Sequence, residues 1–232
     1  MPISEPKIKK TLDEKRDEAR NIIMQASWEL FLEKGYTETT TRDIVRKTGI
    51  LNGSLYNRFK SKEDILISII RTAIEDCLEE SEKHIDENDG PILTLCLPFA
   101  IEVYIASKSE RVADLLYNAH QSWKATESYC EIYENWATKL VDSNYDIRLE
   151  DEEMRMRIVS IIGSIGNVCG MYAHGFSKDY RCVFEYLGKF IGPMMEMRFY
   201  ELSKLVDSLS KIIESSNIMV CGKTLDEVLR AE

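Results

Sequence analysis

Histidine is scarce, with three in 232 residues, and the six cysteines (Cys77, Cys96, Cys130, Cys169, Cys182, Cys221) are scattered without a C-x-x-C pair. Zinc sites and disulfide frameworks both need closer grouping, so no metal, no other cofactor and no disulfide scaffold is expected. The thiols read as reduced and mostly buried. Five prolines and eleven glycines exclude a loop-rich or collagen-like chain. No stretch alternates apolar and polar residues over a useful strand length, and there is no internal repeat or low-complexity tract, which leaves an all-α reading. The phosphate-binding G-x-x-x-x-G-K-[ST], the G-x-S-x-G elbow and the H-E-x-x-H zinc pair are all missing, so nothing points to an enzyme. The first twenty residues, MPISEPKIKKTLDEKRDEAR, contain no apolar run of the kind an export signal needs. A cytoplasmic protein is expected.

One long uncharged run does occur. Ile158 to Ser177 has no Asp, Glu, Lys or Arg, and ~20 residues is formally enough to span a bilayer. Ser160, Ser164, Asn167, His174 and glycines at 163, 166, 170 and 175 dilute it. It reads as a helix buried among other helices, with no membrane partner.

Charge is unevenly placed. The net charge is −10, but residues 1–62 carry 13 Lys+Arg against 9 Asp+Glu, and the segment Lys34–Lys62 carries 7 against 2. A basic segment on an acidic body suits a chain whose N-terminal part meets phosphate and whose remainder does not.

Residues 1–10 read as a flexible basic arm. From about Leu12 to Lys34, apolar residues at three- and four-residue spacing predict a helix that stops at Gly35. Thr40 with Asp43 forms a capping-box pattern opening a short helix from Thr41 to about Lys47. Thr48-Gly49-Ile50 is a tight turn in which Gly49 takes a left-handed conformation at little cost. A second short helix follows from about Asn52 to Phe59. Ser61 then caps a long helix to about Lys83. His84–Pro91 is a loop, with further helices at about 91–107, 110–119, 121–142, 150–175, 180–191 and 193–215. Asn144–Asp146 marks a connection, and Pro193 opens or kinks a helix. Thr224 and Glu227 suggest a second capping box before a last short helix over 225–230.

Two short helices joined by a turn containing glycine are a helix-turn-helix pattern, whose second helix meets base edges in the major groove. The string A26-x3-L30-F31-x3-G35-Y36-x2-T39-T40-T41-x2-I44-V45-x3-G49-x3-G53-S54-L55-Y56-x2-F59-K60-S61-K62-E63-D64-I65-L66 resembles the DNA-binding domain of the TetR family of repressors. The resemblance covers about fifty residues. It implies a three-helix DNA-binding domain over 11–60 and a helical ligand-sensing and dimerisation domain over 61–232. By position it assigns phosphate contact to Thr41, groove-facing roles to Asn52, Gly53 and Ser54, phosphate or base contact to Tyr56 and Asn57, and phosphate anchoring to Lys62. Thr40 and Leu51 complete the candidate DNA-contacting set. Leu51-Asn52 departs from the small polar residue and lysine common in the family. Leu51 suits a thymine methyl and Asn52 suits adenine.

The family's pocket residues do not carry over. Aromatic residues concentrate between 104 and 136, and Glu102, Glu127 and Glu131 lie among them. The candidate ligand-contacting residues are Tyr104, Tyr117, His120, Trp123, Tyr133, Asn167 and Met171, suited to an aromatic, amphipathic or cationic inducer. A dimer interface is expected from the helix over 150–175 and those after 180, with Ile158, Ile162, Ile165, Gly166 and Gly170 as candidates. The lesser alternative is that the glycines serve packing within one chain. Expected partners are a palindromic double-stranded DNA operator, a small-molecule inducer and a second copy of the chain. Two alternatives stay open at this level: an activator of the same family, and a helical adaptor whose helix-turn-helix binds protein.

Overall fold

A computed structural model describes residues 12–84, 91–142, 151–195, 202–215 and 217–230. The basic arm expected at 1–10 and the connections expected at 85–90 and 144–146 lie outside the described residues. Among the described residues the fold is all-α apart from one minimal hairpin. Its elements are α1 (Leu12–Lys34), α2 (Thr41–Thr48), α3 (Asn52–Tyr56), α4 (Lys62–His84), α5 (Pro91–Lys108), α6 (Glu110–His120), α7 (Trp123–Asp142), α8 (Asp151–Ala173), α9 (Tyr180–Met194), α10 (Leu202–Ser215), β1 (Met219–Val220), β2 (Lys223–Thr224) and α11 (Leu225–Leu229).

The N-terminal head is α1 to α3 packed on the start of α4. Ile23, Leu30 and Phe31 from α1, Ile44 from α2, Leu55 from α3, Phe59, and Ile65, Leu66 and Ile69 from α4 are buried in it. Gly35 and Gly49 both have positive φ, +88° and +68°, which lets the chain leave α1 and α2 without strain. Thr39 closes the first corner by donating to the carbonyls of Leu30 (3.1 Å) and Gly35 (2.8 Å).

The larger body wraps α5 and α6 with α4, α7 and α8. The uncharged run of α8 lies against α6 and α5, with Ile158, Ile161, Ile162, Ile165, Cys169 and Tyr172 all buried. Its apolar composition therefore belongs to a protein core. Contact between α6 and α8 is close because Gly166 and Gly170 have no side chain. A Cβ at Gly166 would stand 2.4 Å from His120 Cβ, and one at Gly170 would stand 2.7 Å from Tyr117 Cδ2.

Two expectations need correction. Pro193 lies in the last turn of α9 and does not open the next helix, which begins among the described residues at Leu202. A two-residue antiparallel hairpin, Met219–Val220 with Lys223–Thr224, precedes α11. It is too short to leave an alternating pattern. The capping box at Thr224 and Glu227 is present. All six cysteines are free thiols.

Candidate functional site

The turn-linked pair α2–α3 stands on the outside of the head. Leu55 points inward and is fully buried, which fixes the roll of α3 about its axis. The opposite face is thereby presented outward: Leu51 is 81% exposed, and Asn52, Gly53, Tyr56 and Asn57 are exposed. Leu51 is the N-cap of α3 and offers no side-chain cap. Open space surrounds the position where a Gly53 Cβ would be. Thr41 Oγ1 and the Tyr56 hydroxyl are 3.2 Å apart, so the start of α2 and the end of α3 share one surface.

Other members of the candidate set are engaged in the fold. Thr40 accepts from the Asp43 N–H and donates its own N–H to Asp43 Oδ2 (3.0 Å), completing the capping box. Lys34 also reaches Asp43, at 3.1 Å. These bonds hold the Asp43 carboxyl well below the usual carboxylate range. Ser54 is half-buried, and its hydroxyl and carbonyl accept from Arg58 at 2.7 and 2.8 Å. Lys62 donates to the carbonyls of Tyr36 (2.6 Å) and Thr37 (3.2 Å), with Nζ 4.3 Å from the Tyr36 ring centroid. It thus fastens α4 to the loop before α2. Burial depresses its pKa. In the free chain it serves as a strut, and two of its three N–H groups are used in these bonds.

Within the body, the Tyr133 and His120 side chains are internal and Tyr117 is half-buried. Tyr133 is fully buried and stacks on Phe99 at 4.7 Å, Tyr117 packs against Gly170, and His120 stacks on Tyr129 at 4.9 Å. His120 Nε2 lies 3.3 Å from Glu102 Oε2, and the Tyr129 hydroxyl donates to Glu102 Oε1 at 2.7 Å. His120 Nδ1 is buried without a partner. Tyr104 is half-buried against Tyr180. Trp123 is 63% exposed, Met171 is exposed, and the exposed Asn167 donates to the Gly163 carbonyl.

A cavity among the described residues lies elsewhere. About 540 Å³ opens between α1, α4, α5 and the C-terminal hairpin with α11, and its walls include Met24, Trp28, Ile70, Ala73, Ile101 and Val228. None of the seven candidate ligand residues lines it, although Glu102 does. The hairpin is tied there by the Cys221 N–H, which donates to Asp76 Oδ2 at 2.6 Å. Desolvation raises the Asp76 carboxyl pKa. Sequence reasoning missed this cavity because its outer wall comes from residues some 145 positions along the chain from α4.

The five candidate dimer residues also need correction. Ile158, Ile162, Ile165, Gly166 and Gly170 are all buried inside the chain. They have no surface left for a second copy. The opposite face of α8 carries Met156, Ser160, Gly163, Asn167 and Met171. On α9, Cys182, Tyr186 and Phe190 are exposed at four-residue steps.

A three-helix head with an outward second helix defines a helix-turn-helix protein. Residues 23–69 match the family described as bacterial regulatory proteins, tetR family. Over those residues the chain is similar to that family. It is 25% identical over 145 residues to the HTH-type transcriptional repressor KstR2 of Mycolicibacterium smegmatis, covering 62% of each chain. It is 35% identical over 65 residues to the fatty acid metabolism regulator protein of Bacillus subtilis, covering 28% of this chain and 34% of that one. The chain thus spans less than two thirds of the length of either relative. The solved structure of RolR in complex with the ligand resorcinol superposes with a TM-score of 0.57 at 16% identity, covering 86% of this chain and 96% of that one, a likeness of fold.

Proposed function

We propose that the chain is a dimeric transcriptional repressor that binds a palindromic DNA operator through the first turn of α3 and is released by a small molecule bound in its body. It acts in the cytoplasm and performs no catalysis. The observation that carries this reading is the orientation of α3. Burial of Leu55 turns Leu51, Asn52, Gly53, Tyr56 and Asn57 outward together, within the basic segment Lys34–Lys62. Such a turn fits the major groove, with Thr41 and Tyr56 beside it for phosphate. Support also comes from the names of the relatives, a repressor and a metabolic regulator.

Release requires a body conformation that the ligand prefers and DNA does not. A hydrogen bond and an ion pair suited to transmit it join the body to the first turn of α4. Ser122, in the turn between α6 and α7, donates to Glu63 Oε1 at 2.6 Å, and Lys124 lies 3.6 Å from Asp64.

The test is a titration of duplex DNA, selected from a random library, at rising salt. A DNA reader loses affinity steeply as salt rises, since counterion release drives its binding. Flat salt dependence favours the protein-binding adaptor instead.

A further inference from the structure

Glu102, on the inner wall of the cavity, is a buried acidic residue whose polar neighbours are a tyrosine and a histidine. It receives the Tyr129 hydroxyl and faces His120 Nε2. His120 Nδ1 has no partner, so the tautomer that leaves no orphaned donor carries its proton on Nε2 and donates it to Glu102. Among the described residues no lysine or arginine stands within ion-pairing distance of Glu102. A carboxylate withdrawn from water without a counter-charge is costly, and a bound cation removes that cost. The other carboxylate on the wall, Asp76, is already engaged by the Cys221 N–H. Among the described residues Lys223 is the one basic residue on the wall, and most of the remaining wall is apolar.

We propose that this cavity is the effector site and that its ligand is a small molecule with an apolar body ending in one ammonium group. The ammonium pairs with Glu102, and the body lies along Trp28 and Ile70 toward the hairpin. An anionic ligand would meet two carboxylates against one lysine. The volume of about 540 Å³ falls in the range of small-molecule sites. Because its walls are α1 of the head and α4 of the body, an occupant biases the spacing of those two helices. The effector role and this consequence rest on reading the chain as a DNA-binding regulator; the ligand site and its chemistry do not.

The experiment uses three probes with one apolar body: 6-phenylhexylamine, 6-phenylhexanol and 6-phenylhexanoate, titrated calorimetrically into the full chain. The amine binds one per chain, the alcohol at least tenfold more weakly, and the acid most weakly. Glu102→Gln keeps the shape and lowers amine affinity at least tenfold, leaving the alcohol nearly unchanged. Equal binding of acid and amine, or no binding of the amine, overturns the proposal. If circular dichroism shows that Glu102→Gln does not fold, Ala73→Leu fills the cavity from its wall and abolishes amine binding. Amine binding that survives in Ala73→Leu places the amine elsewhere and overturns the proposal. In parallel, the ligand-free chain selects duplex DNA from a random library. Selection of DNA without amine binding sinks the cavity assignment alone. Amine binding without DNA selection sinks the regulator reading and the effector role with it.

Discussion

Gly53 occupies the second position of α3, with nothing within 4 Å of the place a Cβ would take. Alanine there costs the free protein nothing in packing and raises helix propensity by up to about 1 kcal/mol. In the groove the same methyl would stand between backbone and DNA. Gly53→Ala should therefore leave the melting temperature equal or slightly higher while weakening DNA binding at least tenfold, as thermal melts and a DNA titration would show. A parallel loss of both would mean that the glycine serves the fold. The glycines of α8 divide in the same manner. A Cβ at Gly166 collides with His120, so Gly166→Ala should destabilise the chain by about 1–3 kcal/mol in a denaturant melt. Gly163 is exposed with no neighbour in the chain, and alanine there should not destabilise it. The sequence showed four glycines in a helical run. It did not show which faced a neighbour, because that depends on how α8 is rolled against α6.

At the scale of the element, the head is held by short polar devices at helix ends. The box of Thr40 and Asp43 opens α2, Thr39 closes the corner after α1, and Lys62 ties α4 to the loop between them. The first was legible because a capping box is written in residues three apart. The strut was not, since Lys62 meets carbonyls 25 and 26 residues upstream. Asp43 gives this element a pH signature. Its carboxyl is depressed in the folded chain, foremost by its bonds to Thr40 and then by Lys34. A depressed folded pKa adds stability that is complete above the unfolded value of about 3.9 and is lost as pH falls below it toward the folded value. Asp43→Asn removes that titration. The stability gap between the parent and Asp43→Asn should be widest near neutral pH and should narrow below about pH 4, as read from melts at pH 7 and pH 3. A gap that stays constant across that range would show that the ionised carboxylate is not what holds the cap.

For the whole molecule, one chain presents one recognition helix, and a palindromic operator requires two. The elements expected to join two copies are α8 and those after residue 180, and the residues chosen on α8 face the chain's own core. Ile158, Ile162 and Ile165 were chosen for being apolar, and apolar residues on a helix serve its own core first. What α8 and α9 leave outside is mixed: Met156, Gly163 and Met171 on one, Tyr186 and Phe190 on the other. Tyr186 is 74% exposed and Phe190 49%. Aromatic side chains of this kind anchor interfaces when a partner covers them. We infer that a second copy does so through these outer faces. A charge at the anchor tests this without touching the chain's own core. Phe190→Glu should fold as the parent does, sediment as a monomer where the parent sediments as a dimer, and lose affinity for a two-half-site duplex far more than for a single half-site. If the variant remains a dimer, the two copies meet elsewhere. If the parent itself is a monomer at micromolar concentration, binding to a two-fold operator must assemble the pair on the DNA.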